Sequence, residues 1–509
     1  MHRDNPYLIK KPDFARLASR FPDFAQYVNI SEDGAAYIDF QDASALRSLT
    51  RCLLRDDWDL EVNFREDRLC PTLANRLDYL LHILDLEPHL PSSSSSRLLR
   101  VLDIGTGASA IYPILLLRLR PNAIITATEL DETSYNHSLS VLAQNDIPST
   151  SINILQAPSS DPILFPILNE EDQWDITICN PPFFGSEEEI KQGQEGKEHS
   201  AHSAPTASMN ELITPGGEVA FVGKMIKESM KIGDRCRWYT SLIGKYSSLS
   251  PLVELLKVNK IDNYLLKNIR QSKTTRWILG WSHCSNRLPD NLARPEDVIS
   301  NTSFSRLLPH PNTFHHKPQP SIPLEELKEK ILQVLQGIQL DHSSVSHQAD
   351  CQEADDKLMY IQPMINTWSR SARRAVLRQQ DQATTTPASL INANETSDTP
   401  LFKARISFIP PLTAKDHSSI SLDWMEGRDR TMVEGLWKFL LSKAELIGKK
   451  KVVDSGYGGR LGSGVWERGR GRAGKSWSKG RAAGREKHGE EEEEGLNEGR
   501  RYGQRRRLG

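Results

Sequence analysis

The residues best suited to chemistry are Asn180-Pro181-Pro182-Phe183-Phe184, set directly after the apolar run DITIC. An asparagine, two prolines and two aromatics at the carboxyl end of a strand suit the holding of a flat NH2 group. Such an exocyclic amine is a poor nucleophile, because its lone pair is delocalised into the ring. That lone pair must be turned towards the electrophile. The Asn180 side-chain oxygen is suited to accept one N–H and the Pro181 carbonyl the other. The two prolines fix φ and carry no N–H to compete for those acceptors. Gripping both N–H groups favours a pyramidal nitrogen, a gain made mainly as reaction proceeds. Phe183 is suited to stack on the flat target and Phe184 to wall the pocket. Neither a metal nor a strong base is required, since an alkylated nitrogen sheds its proton readily.

A second cluster lies upstream. Asp103-Ile104-Gly105-Thr106-Gly107-Ala108-Ser109 follows one apolar run and precedes another. Glycines let the backbone turn sharply between strand and helix and approach a ligand closely. The spacing departs from the full G-x-G-x-x-G, which argues against a nicotinamide cofactor. Glu129 ends the next apolar run, in ATELDE, where an acid can accept hydrogen bonds from both ribose hydroxyls of an adenosyl group. With the amine clamp further on, these residues point to S-adenosylmethionine as methyl donor.

The elements that must position these residues follow from periodicity. Residues 1–90 read as mostly helical, through KPDFARLASRFPDFAQYV, DASALRSLTRCLL and CPTLANRLDYLLHILDLE. A serine run, Ser92 to Ser96, joins them to an alternating segment. From 97 to 284 strand patterns (LLRVLDIG, NAIITATEL, TSINILQA, WDITICN, RCRWYTSLIG) alternate with helical ones, and NYLLKNI and TTRWILGWS close as paired strands. That rhythm predicts an α/β fold with a mostly parallel, doubly covered sheet. Residues 186–209 are a polar interruption. Residues 285–321 read as a proline-rich linker. Residues 322–446 read as a small α+β region with an internal linker at 378–399. Residues 447–509 read as an unstructured Gly/Arg-rich tail.

Composition agrees with part of the length lying outside any core, since only 38% of the 509 residues are hydrophobic. The six cysteines form no C-x-x-C pair, which excludes a zinc ribbon and offers no disulfide framework. No signal peptide and no membrane span is expected.

Together, KPDFARLASRFPDFAQYV, LCPTLANRLDYL, LDIGTGASAIYP, CNPPFF, GGEVAFVGKMIKES and RCRWYTSLIGKYSSLSPL carry a specific resemblance over roughly residues 1–284. The chain resembles the methyltransferase-like protein 16 family, the N6-adenosine methyltransferases of U6 small nuclear RNA. The resemblance implies a Rossmann-like class I methyltransferase sheet, an N-terminal RNA-binding extension, and action on structured RNA in the nucleus, with the cytoplasm as a further compartment left open. It implies cofactor contacts at Arg76, Gly105, Ser109, Glu129 and Asn180, with Asp103 and Gly107 in the same turn. The family's contact after the third strand falls on APSSDP, where Asp161 matches best although its residue type differs. Asn180, Pro181, Pro182 and Phe183 take the catalytic positions, and no metal is implied. The RNA surface would draw on Lys10, Lys11, Arg16, Arg237, Lys245, Lys273 and Arg276. WSRSARRAVLR and SLDWMEGRDRTMVEGLWKFLLSK resemble, more loosely, the family's C-terminal RNA-binding region. Three other readings remain open at this point: a ribosomal RNA adenine methyltransferase, a protein glutamine N5-methyltransferase, and a non-catalytic RNA-binding scaffold.

Overall fold

The structure, a computed structural model, describes residues 1–90, 98–158, 161–190, 209–271, 274–295, 302–338, 340, 342–343, 357–374, 399–411 and 417–447. The serine run, most of the polar interruption, nearly all of the 378–399 linker and the Gly/Arg tail beyond 447 lie outside the described residues. Among those described, no helix is long and apolar enough to cross a membrane.

The first 90 residues are less uniformly helical than their periodicity implies. Asp13 caps α1 (Phe14–Arg20) by accepting the Arg16 N–H at 3.0 Å. Phe21 then turns extended ahead of Pro22, which begins the short α2 (Pro22–Ala25). A residue before proline is disfavoured in the α region, so KPDFARLASRFPDFAQYV breaks into two pieces. A hairpin comes next, β1 (Val28–Ile30) against β2 (Ala36–Ile38), turning through Gly34 at φ 82°. Then come α3 (Ala43–Trp58), capped by Asp42, and α4 (Leu73–Leu84).

The alternating segment forms one seven-stranded sheet. Its strands are β3 (Arg100–Ile104), β4 (Ile124–Glu129), β5 (Ile152–Gln156), β6 (Trp174–Cys179), β7 (Cys236–Ile243), β8 (Tyr264–Gln271) and β9 (Thr274–Trp281). Their order is β5-β4-β3-β6-β7-β9-β8. β3 to β7 are parallel, and β9 runs antiparallel to both β7 and β8. Side chains alternate between two cores. Val101, Ile125 and Ile176 pack with α3, α4 and α5 (Ile111–Leu119), while Leu102, Ile104 and Cys179 pack with the helices Gly217–Ile232 and Tyr246–Val258. The chain winds outward from β3 to β5 and returns at β6, so β3 and β6 flank the point where strand order reverses. In open α/β sheets that point forms a crevice at the carboxyl ends.

The N-terminal segment reaches into this sheet. The Tyr79 hydroxyl on α4 lies 2.9 Å from the Thr240 hydroxyl of β7 and accepts the Cys179 N–H at 3.4 Å. Both partners belong to the strands around the Asn-Pro-Pro motif, so α4 is keyed to the strands that lead into it.

A second, five-stranded antiparallel sheet comprises β10 (Thr313–His316), β11 (His342–Ser343), β12 (Leu358–Ile361), β13 (Phe402–Ile409) and β14 (Ser419–Gly427) in the order β10-β14-β13-β12-β11. Helices Leu324–Gly337 and Arg430–Lys443 share its core, which contains Trp368, Trp424 and Trp437. This corrects the reading of 285–321 as a linker. Asn286 pairs with Glu426, a helical turn spans Asp290–Ala293, and β10 is an edge strand of the sheet. β10 is only TFHH, and its pairing partner lies over a hundred residues on, so no local periodicity marks it.

Candidate active site

The glycine turn at the end of β3 holds Gly105 at φ 68° and Gly107 at φ 69°. Those left-handed conformations favour glycine, and they aim the Gly107 N–H across to β4. There Glu129 Oε2 accepts it at 2.7 Å, while Glu129 Oε1 accepts the N–H groups of Leu130 (2.9 Å) and Asp131 (3.0 Å). Burial raises the Glu129 carboxyl above its usual range, and these backbone donors work against that rise. The acid is thus locked in place, with both lone pairs of Oε1 taken and one to spare on Oε2.

Asp103, at the end of β3, is 1% exposed. Burial pushes its carboxyl up to about 7; the Thr106 hydroxyl and Arg76 act downward, and Glu129 acts upward. Neither Asp103 oxygen, nor the Thr106 hydroxyl, nor Asn180 Oδ1 forms a hydrogen bond of normal geometry, although all are buried. Buried polar atoms without partners are costly, so a group of them around one space marks a ligand site.

That space is a cavity of about 480 Å³ at the crevice. Its walls bring together Arg76, Gly105, Gly107, Ser109, Glu129, Asn180, Pro181 and Pro182. Arg76 projects from α4, its guanidinium 5.6 Å from the Tyr112 ring centre. The volume and the unmet donors and acceptors fit an adenosyl amino acid: an acid for the ribose, unpaired carboxylate oxygens for cationic groups, and an amide oxygen for the incoming amine.

Three expected residues are not on the cavity wall: Asp103, whose chain neighbour Ile104 is, Asp161 and Phe183. Asp161 is not among the residues lining the cavity; its carboxylate pairs with Lys224, which does line it, at 2.8 Å. The Phe183 ring also stays off the cavity wall. It rests against Gly244, where a Cβ would fall 2.5 Å from the ring, and the Arg276 guanidinium lies 5.4 Å from its centre. The segment after Asn180 is firmly pinned. Lys245 Nζ donates to the Phe183 carbonyl at 2.7 Å and pairs with Glu189 at 2.5 Å. Phe184 exchanges backbone hydrogen bonds with Leu212 and Thr214 at 3.0 Å each.

The basic residues divide similarly. Arg237 is buried in an ion pair with Asp175 at 3.2 Å, which withdraws it from any RNA surface. Lys10 and Arg16 pair with Asp57 and Asp56. Arg276 donates to the Gly244 carbonyl at 2.9 Å. Lys11 is exposed, and Lys273 lies outside the described residues. Glu211 was not anticipated. It lines the cavity and accepts the Leu69 N–H at 3.0 Å, closing one wall, yet its polar surroundings in sequence set it apart from no other glutamate.

A family model described as RNA methyltransferase matches residues 1–285. The chain is 31% identical over 450 residues to a Xenopus laevis RNA N(6)-adenosine-methyltransferase, METTL16, covering 82% of this chain and 78% of that one. The chain belongs to the METTL16 family of RNA methyltransferases. A Schizosaccharomyces pombe relative, named U6 small nuclear RNA (adenine-(43)-N(6))-methyltransferase, is 34% identical over 337 residues, covering 66% of this chain and 82% of its own. The human METTL16 is 36% identical over 286 residues, covering 55% of this chain. The chain spans about half the length of the mouse and human proteins, 51% and 50%. Among solved structures, the hMettl16 catalytic domain in complex with a MAT2A 3'UTR hairpin superposes with TM-score 0.53 at 34% identity, covering 58% of this chain and 99% of that one.

Proposed function

We propose that this chain transfers a methyl group from S-adenosylmethionine to the N6 amine of an adenine in structured RNA, with U6 small nuclear RNA as substrate and the nucleus as its place of action. The observation that carries this is Asn180 Oδ1, a buried acceptor with no partner, facing the cavity walled by the glycine turn and Glu129. The S. pombe and Xenopus names support the choice of RNA and atom.

The residues divide the work. When bound, S-adenosylmethionine supplies an electrophilic methyl on a sulfonium. Glu129 accepts from one ribose hydroxyl with the lone pair left on Oε2, and from the second where a hydroxyl takes the place of a backbone N–H at Oε1. Asp103 offers negative charge to cationic groups, and Arg76 a positive charge to a carboxylate. The target adenine leaves its stack to enter the crevice. Asn180 Oδ1 and the Pro181 carbonyl then each accept one N6 hydrogen. Alignment by rigid acceptors supplies much of the rate. The proton shed after transfer passes to solvent. Phe183, seated on Gly244, stacks on the base only if its ring moves towards the cavity.

The test is methylation in vitro of U6 RNA, ribosomal RNA and a release factor with a labelled methyl donor, then mapping of the product. Label on a single N6-methyladenosine of U6 is expected. Label on protein or ribosomal RNA instead would reassign the substrate, and cofactor binding without transfer to any of the three would favour a scaffold.

A further inference from the structure

On α4, Asp78, His82 and Asp85 recur at spacings of four and three, so they share one face of the helix and its end. The amino-terminal segment lays His2, 6% exposed, onto that face. His2 Nε2 lies 3.1 Å from Asp85 Oδ2, and the His2 and His82 rings meet edge to face with centroids 4.8 Å apart. One donor atom from each of His2, His82 and Asp85 lies within 4.8 Å of the others, an arrangement found at this place alone among the described residues.

Two buried atoms here lack partners. His82 Nδ1 has none. Asp78, 0% exposed, accepts from the His2 N–H and from Asn5 at 3.4 Å with one oxygen, and leaves its other oxygen buried and unpaired. Two carboxylates and two imidazoles thus gather, with Lys267 acting on His82 and Asp85 and the N-terminal ammonium also acting on His82.

We infer that His2, His82 and Asp85 form a binding site for a divalent ion of the zinc class, clamping the first residues of the chain to α4. Two imidazoles and a carboxylate match the ligand preferences of that class. Zinc lies about 2.0–2.2 Å from such donors, which places the donors roughly 3.3 Å apart. The His2–Asp85 pair already has that spacing, and a turn of the His82 ring brings in the third ligand. Metal on His2 Nε2 requires the proton to sit on Nδ1. The Asp4 carboxylate, 3.8 Å from Nδ1, is the acceptor within reach once the Asp4 N–H, now 3.1 Å away, gives up its bond there. A carboxylate behind a ligating histidine is the usual support for such an ion. The ion takes no step in methyl transfer. It steadies the helix that carries Arg76 to the cavity.

The experiment is a titration of the full chain, prepared without a polyhistidine tag and stripped by chelator, with Zn2+ by calorimetry and with Co2+ by visible absorption. One equivalent is expected, and zinc is expected to raise the melting temperature. His82→Gln keeps bulk and polarity; it is expected to weaken binding at least about tenfold, and Asp85→Asn likewise. Circular dichroism in chelator checks that the variants fold, and if His82→Gln does not, Asp85→Asn carries the comparison. Absence of a stoichiometric site, or variants that bind as tightly as the parent, would overturn the inference.

Discussion

Strands β6 and β7 of the first sheet and β13 of the second bury their residues in opposite ways. β6 and β7 are buried at every position, whereas β13 alternates buried and half-buried residues along its whole length. Parallel strands joined by helical crossovers must be covered on both faces, and their carboxyl ends then open into a crevice. An antiparallel sheet packs one face and leaves the other wet. Polar groups divide in the same way. On the five-stranded sheet, charged side chains find partners across strands: Arg405 with Asp423 at 2.8 Å and Lys403 with Glu426 at 2.7 Å. At the crevice Asp103, Thr106 and Asn180 keep buried atoms unpaired. The first sheet is built to receive a small ligand in a cavity; the second offers a surface.

That contrast can be broken most sharply at Asn180. Asn180→Ala should lower the turnover number by about 10²–10³-fold, the scale for loss of one well-placed polar group, while RNA affinity by filter binding stays near that of the parent. Transfer at the parental rate would remove the clamp from the mechanism.

Asp103 comes next. Its folded-state pKa of about 7 lies above the ordinary 3.8, so the folded chain holds a proton that the unfolded chain has released across that interval. Stability of the ligand-free chain from this group is therefore full below about pH 4 and falls as pH rises through 7, by on the order of 2–4 kcal/mol. Asp103→Asn should remove that slope in urea melts between pH 5 and 8. A cationic ligand favours the ionised form, so cofactor affinity should tighten over the same range in the parent and stay flat in Asp103→Asn.

Gly244→Ala tests the seat of Phe183. The added Cβ would fall 2.5 Å from the ring, so the ring must shift. A loss of about 1–3 kcal/mol is expected by denaturant unfolding, with turnover falling more than cofactor affinity. Unchanged stability would show that the ring is loosely held.

The smallest effect concerns the joint between the sheets. Arg287 donates to the Gly427 carbonyl at 3.0 Å, pairs with Asp262 at 3.1 Å and stacks 4.0 Å from the Trp424 ring centre. Arg287→Ala should cost about 1–2 kcal/mol and speed hydrogen exchange in β14, with cofactor affinity unaltered. A matching drop in cofactor affinity would mean that the sheets are coupled more tightly than this contact implies.

Much of the site was legible because its signals are local. Asn180 and the glycine turn each end a strand pattern, and Glu129 ends the next. Arg76 was reached through resemblance alone, since an arginine on a helix carries no mark of where it points. Gly244, Glu211 and β10 were not legible. Gly244 matters through a ring sixty residues earlier, Glu211 through a backbone N–H far upstream, and β10 through a partner strand a hundred residues on. The β1–β2 hairpin was hidden by apolar residues that fit a helix as well as a strand.

The order of residues along the chain thus determined the α/β alternation, the sharp turns and the type of donor at each strand end, because those depend on neighbours a few bonds away. Tertiary structure alone decided that Thr106 and Asn180 keep unpaired atoms on the wall of one cavity, that Arg237 is spent on Asp175, and that Phe183 lies on Gly244. Burial and pairing are set by what the other strands and helices bring near, and free energy of that kind cannot be summed along a single stretch of sequence.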